Sequence, residues 1–264
     1  MSCVVQPGDI RLSFDNAADV YDEARPSYPP ELFDELFNLV PMKPQIVEVG
    51  PGTGKATKDL LARGGSVHAI EIGPTMATRL RSNLPSERLR ISVGDFESMD
   101  IESGADAVFS ATAYHWISRP AQTDRPARIL RLGGLMAIVD LIQVDSPDDL
   151  GFFASVQQIY ERYGEGHSGP PAPSRNAVDP PIRAVLEADS RFGPVVVRQW
   201  DWNQTYTAPG YVKLMQSYSG TQMMDEQRQQ GLLRDMEAFI RTQFGGHVTR
   251  PLVVTLTTAA LTGR

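Results

Sequence analysis

VEVGPGTG, at positions 47–54, joins a compact apolar run to a turn rich in glycine, and a helical pattern opens directly after it. Gly50 and Gly52 have no Cβ to keep a ligand away from the backbone, and the helix start that follows presents free N–H groups, so something polar docks here. A dinucleotide fingerprint needs glycine at the first, third and sixth positions; the sixth is Lys55 and the third glycine falls at Gly54. A Walker A loop needs G-x-x-x-x-G-K-[ST]. The pair Gly54-Lys55 satisfies its end, but Val49 replaces the first glycine and Ala56 the magnesium-binding hydroxyl. Neither phosphate motif is intact.

Outward from this turn the chain repeats strand, turn and helix, the pattern of parallel βαβ units. It predicts strands over 45–49, 66–71, 89–93, 107–110 and 135–141, the last introduced by a Gly133-Gly134 turn, with helices over 55–63 and 75–83. Upstream, residues 14–38 predict two short helices separated by Pro26, Pro29 and Pro30, the second over 31–36. Downstream, 145–193 breaks the alternation. A helix with Phe153, Val156, Tyr160 and Tyr163 on one side is predicted over 150–163, and a loop with Pro170, Pro171, Pro173, Pro180 and Pro181 follows it. Then come a strand over 195–206, a helix over 225–244 ended by Gly245-Gly246, and a last strand over 247–259. The fold class expected is α/β, a Rossmann-like seven-stranded and mostly parallel sheet with helices on both faces. Its expected division is an N-terminal helical lid (1–39), the core (40–144), a cap insertion after the fifth strand (145–193) and a C-terminal completion of the sheet (194–264).

Composition narrows the function classes. The chain has 264 residues, 41% of them hydrophobic and 22% charged, which suits one soluble α/β domain with an elaboration. A net charge of -7 gives no general basic field for a phosphate backbone, so no nucleic-acid partner is expected. Neither a basic leader nor an apolar run of membrane-spanning length is visible, which predicts a cytoplasmic protein with no membrane contact. Cys3 is the only cysteine, and His68, His115, His167 and His247 lie far apart, so no metal is expected. Asp140 ends the fifth strand, but one carboxylate does not make a magnesium site. The sequence does not fix an oligomeric state; a homodimer stays open.

The E-x-G-x-G-x-G spacing of Glu48, Gly50, Gly52 and Gly54 resembles motif I of class I S-adenosylmethionine-dependent methyltransferases, and further segments follow in that family's order. Glu71 ends the second strand about 20 residues past the glycine turn, where an acid can accept hydrogen bonds from both ribose hydroxyls. Gly94-Asp95-Phe96-Glu97 stands where the family places a carboxylate on the adenine amino group. The runs 107–116 (AVFSATAYHW) and 128–138 (RILRLGGLMAI) resemble its fourth-strand and post-strand motifs. Phe14-Asp15, Tyr21, Arg25-Pro26 and Tyr28-Pro29, with the WDWNQTY and KLMQSYSG runs, narrow the resemblance to the type 11 group of small-molecule methyltransferases. Only 145–193 lies outside the match, and that segment is expected to choose the substrate.

The resemblance implies S-adenosylmethionine as cofactor, held by Tyr21, Arg25, Glu48, Gly50, Pro51, Gly52, Thr53, Gly54, Glu71, Ile72, Asp95, Phe96 and Ser110. Arg25 either pairs with the methionyl carboxylate or ties the N-terminal helices to nearby acids. His115, beyond the fourth strand, is the catalytic candidate: an imidazole at that edge can take a proton from a hydroxyl, or it only shapes the pocket. The run Ser110-Ala111-Thr112-Ala113 is not the [DN]-P-P-[YFW] motif of amino methyltransferases; methyl transfer to an oxygen of a small molecule is expected ahead of transfer to a carbon or nitrogen. Phe153, Tyr160, Trp200 and Trp202 are candidate walls for the acceptor, with plain core packing as their other reading. With 21 arginines to 4 lysines the composition hints at a GC-rich bacterial genome and specialised metabolism. A nicotinamide-dependent oxidoreductase and a non-catalytic cofactor-binding protein are the competing readings.

Overall fold

A computed structural model describes residues 24–165 and 171–263. Seven strands form one sheet in the order β3-β2-β1-β4-β5-β9-β6. The first five are β1 (Gln45–Val49), β2 (Ser66–Glu71), β3 (Leu89–Val93), β4 (Ala105–Ala111) and β5 (Leu130–Gln143). All their pairings are parallel. β9 (Leu252–Ala260) enters antiparallel between β5 and β6 (Val196–Asp201). Such a sheet is buried on both faces, which is why β1 and β4 read as continuous apolar runs.

Helices cover both faces. On one side α1 (Pro30–Leu39), α2 (Thr57–Ala62) and α3 (Pro74–Asn83) bring Leu32, Phe33, Leu36, Leu60 and Leu80 against the sheet. On the other, α4 (Ala121–Ile129) and α7 (Pro181–Glu187) contribute Ala127, Ile129, Ile182 and Leu186. A third layer gathers α5 (Phe152–Ser155), α6 (Gln157–Arg162), α8 (Ala208–Gln216) and α10 (Glu226–Gln243) around the fully buried Phe152. The Tyr211 and Phe244 rings meet Phe152 edge-on at 5.2 and 5.3 Å. Between α8 and α10 lies the short α9 (Ser219–Gln222).

The structure departs from the expected elements where pairing, not local pattern, decides. Gly133-Gly134 is not a turn before the fifth strand: β5 runs through it as an irregularity, pairing Leu130 with Ala105 and then Leu135 with Ala107. An added Cβ on Gly134 would stand 2.8 Å from the Arg131 carbonyl, so the bulge needs glycine there. The helix over 150–163 is broken at Val156, whose ψ of -12° falls short of a helical turn. The strands over 195–206 and 247–259 each divide. Pro251, without an N–H to donate, separates β8 (His247–Arg250) from β9, and β8 pairs with β7 (Gln204–Thr207) in a separate two-stranded ribbon. Among the described residues no helix is long and apolar enough to cross a membrane.

Candidate functional site

β1 ends in the glycine turn at the carboxyl edge of the sheet, where a change of strand direction opens a crevice. Gly50 has φ +65°, and a Cβ on it would stand 2.5 Å from Ala113 Cβ, so glycine here lets the segment after β4 pass against the turn. Glu71, at the end of β2, clamps the turn from the other side. Its Oε2 accepts the Gly52 N–H at 2.9 Å and its Oε1 accepts the Gly73 N–H at 2.9 Å.

Above this turn is a cavity of about 280 Å³. Gly50, Gly52, Glu71, Ile72, Asp95, Phe96, Arg25 and His115 all line it, so eight of the residues expected from sequence converge on one space. Asp95 Oδ1 accepts the Glu97 N–H at 2.9 Å, which fixes the loop after β3. Phe96 is buried, with Arg125 over its ring at 5.6 Å. Trp116, next to His115, also lines it, and sequence reasoning missed Thr112, Ile117, Tyr218 and Ser219.

A second cavity, of about 180 Å³, adjoins the first; Arg25, Gly50, Thr112, His115 and Tyr218 line both. Glu48, Pro51 and Thr53 belong to this one. The Glu48 carboxyl is wholly buried, and burial pushes its pKa up to about 8 although the Thr57 hydroxyl donates to it at 2.7 Å. Thr112 takes φ +56°, a conformation costly for a β-branched residue, and its hydroxyl shares a hydrogen bond of 3.1 Å with Tyr28 Oη. A third cavity of about 150 Å³ holds Asp140, Arg119 and, again, His115. Burial raises the Asp140 carboxyl to about 6. His115 is thus common to all three spaces; burial, with the Arg25 charge second, lowers its pKa below the ordinary imidazole value.

Several expected residues stand elsewhere. Gly54 lines neither of the two larger cavities: its α-carbon faces Leu80 and Leu84, either of which a Cβ would strike, so this glycine serves the packing of α3. Ser110 is fully buried and donates to the Val49 carbonyl at 2.7 Å, tying β4 to β1. Arg25, although it lines both cavities, is held by Ser217, donating to its hydroxyl at 3.0 Å and its carbonyl at 3.1 Å, with the guanidinium 4.6 Å over the Tyr218 ring. Tyr21 lies outside the described residues. Phe153 and Tyr160 pack in the helical layer, and Trp200 and Trp202 against the sheet core. No described residue of 145–193 lines the two larger cavities; α7 reaches only the third, through Pro181, Ile182 and Val185.

Residues 47–138 match the type 11 Methyltransferase domain family. An uncharacterized methyltransferase of Mycobacterium tuberculosis is 30% identical over 211 residues, spanning 80% of this chain and 78% of the relative. Among solved structures, a protein from Anaeromyxobacter dehalogenans described as a Type II methyltransferase superposes with a TM-score of 0.61 at 19% identity, over 90% of this chain and 98% of that one. Phosphoethanolamine N-methyltransferase 2 of Haemonchus contortus, in complex with phosphomonomethylethanolamine and S-adenosylhomocysteine, gives a TM-score of 0.55 at 15% identity, over 97% and 60%. At these identities the two structures speak to the fold.

Proposed function

The chain belongs to the class I S-adenosylmethionine-dependent methyltransferases, and on that premise we propose that it methylates a small organic acceptor at oxygen, above the carboxyl ends of β4 and β5. The observation that carries this reading is the pair of adjoining cavities: one over the glycine turn, the other beside it, with His115 at their junction. S-adenosylmethionine, when bound, supplies a methyl group already activated on a sulfonium. The chain's own residues then have to bind, align and keep water out.

The residues of the first cavity suit that cofactor. The Glu71 carboxylate, oriented by the Gly52 and Gly73 N–H groups, lines this cavity and is assigned to the ribose hydroxyls. Asp95 supplies an acceptor for the adenine amino group, and Ile72 and Phe96 supply apolar flanks. Glu48, Pro51 and Thr53 border the turn from the second cavity, with Arg25 and Tyr21 assigned to the methionyl end. His115, neutral at physiological pH because its pKa is lowered, accepts the proton of an acceptor hydroxyl at Nδ1 or Nε2. A net charge of -7 favours a small acceptor over a nucleic acid, and the arginine-rich composition is consistent with bacterial specialised metabolism.

Calorimetric titration with S-adenosylhomocysteine and with NAD tests the first cavity; tight binding of the former alone is expected. Release of S-adenosylhomocysteine is then followed across a panel of hydroxyl, amine and thiol acceptors. Turnover confined to amines would overturn methylation at oxygen.

A further inference from the structure

The second cavity is electrostatically one-sided. Arg25, Lys55 and Arg250 are on its wall, and the one carboxyl among its described residues, Glu48, is held neutral by burial near pH 7. Leu141, Leu252, Ala56 and Ala111 supply apolar surface between them.

Arg250 differs from several of the arginines that frame the fold. Arg63, Arg131, Arg175 and Arg191 each form an ion pair with an aspartate. Arg250 has none among the described residues. Nε and Nη2 both donate to Gln143 Oε1, at 3.2 and 3.0 Å, and Nη1 donates to Tyr218 Oη at 2.6 Å. These partners orient the guanidinium without cancelling its charge, and they use three of its five N–H groups. One N–H remains on each terminal nitrogen. Burial opposes its charge, yet a guanidinium with its pKa raised stays protonated near pH 7, beside the neutral phenols of Tyr218, Tyr211, Tyr206 and Tyr160. A half-buried guanidinium held by neutral oxygens on the wall of a cavity is suited to receive an anion.

We infer that Arg250 is a specificity-determining residue that grips a carboxylate on the methyl acceptor, so that the substrate class is an apolar hydroxy-acid whose hydroxyl lies toward His115. The inference rests on the methyltransferase reading of the site. A carboxylate, planar and singly charged, matches two N–H groups of one guanidinium. Gln143, at the end of β5, and Tyr218, before α9, act as positioning residues for the guanidinium.

The test uses the full chain saturated with S-adenosylhomocysteine and titrated calorimetrically with benzoate, benzamide, hexanoate, hexanamide and phenyl phosphate. Each carboxylate is expected to bind at least about tenfold more tightly than its amide. R250M removes that preference, R250K keeps part of it, and both leave the affinity for S-adenosylhomocysteine within about twofold. Equal binding of acid and amide by the wild type, or a preference that survives R250M, overturns the inference. So does tighter binding of phenyl phosphate than of benzoate. A loss of S-adenosylhomocysteine affinity of tenfold or more in R250M assigns Arg250 to the cofactor instead. If R250M does not fold, the acid-to-amide ratio in wild type and R250K decides. Failure of the wild type to bind S-adenosylhomocysteine at all would sink the cofactor reading itself, a separate result.

Discussion

The two walls of the paired cavities are made in opposite ways. The wall on the glycine turn consists of backbone and short side chains at consecutive strand ends: Gly50 after β1, Glu71 at the end of β2, Asp95 after β3. Every one is fixed by a parallel ladder within a short stretch of chain. The facing wall is assembled from long side chains at distant positions, with Arg25 held by Ser217, and Arg250 held by Gln143 and Tyr218. The first wall is rigid whatever the ligand, because moving Glu71 would release two backbone N–H groups. The second can be altered by one substitution at a time without disturbing the sheet. A fold built this way keeps one partner constant and lets the other vary.

The largest expected effect tests the rigid wall through Glu48. Its folded pKa of about 8 lies above the ordinary value of 4.5, so the neutral carboxyl favours the folded state at low pH. Stability should fall as pH rises from about 4.5 to about 8, by on the order of 3 to 5 kcal/mol, as the unfolded chain releases a proton that the folded chain retains. In Glu48→Gln that part of the slope should vanish in denaturant titrations run across this pH range. An unchanged slope would show that the acid is ionised in the fold. Next, Glu71→Ala removes the clamp on Gly52 together with the proposed ribose contacts. Calorimetric affinity for S-adenosylhomocysteine should drop by roughly 2 to 4 kcal/mol, and full retention would exclude Glu71 from the site.

Turning to the variable wall, His115→Ala should lower turnover by about 10²-fold with little change in cofactor affinity. In the wild type the rate should rise with pH through an apparent pKa below the ordinary imidazole value of 6.5, since the neutral imidazole is the working form. Weakened cofactor binding with an unaltered pH profile would instead make His115 a shaper of the pocket. The smallest effect belongs to Thr112. Thr112→Asn, with a residue that tolerates the left-handed conformation, should stabilise the protein by about 1 kcal/mol in chemical denaturation. A loss of stability would show that the hydrogen bond to Tyr28 outweighs the strain.

What could be read from the sequence follows the same division. The bounds of β1, β2 and β3 are those the alternation predicts, and Glu71 and Asp95 stand at the expected strand ends, because a βαβ unit is a local object whose period and turn chemistry lie within some 30 residues. Strand pairing is not local. Nothing between positions 195 and 259 says that Tyr206 will pair with Val248 in a ribbon while Trp200 pairs with Val254 in the main sheet, although Pro251 marks the break. Arg250 and Tyr218 escaped for the same reason, since tertiary packing alone brings them beside Gln143. The segment 145–193, expected to choose the acceptor, packs its first helices into the layer around Phe152 and reaches His115 only through the third cavity, while Tyr218 and Ser219 line the first.

The placement of β9 has a consequence for how the molecule is made. Leu252–Ala260 pairs along β5 over nine residues, from Leu135 opposite Ala260 to Gln143 opposite Leu252. Until that segment has been synthesised, β5 carries a long apolar edge with unpaired amides, while the five parallel strands before it are already able to dock. A late antiparallel insertion of this kind must close a large loop before it is rewarded, which slows the last step and leaves an adhesive edge on the nascent chain. The strand that completes the sheet is therefore also the one whose delay exposes the protein to aggregation.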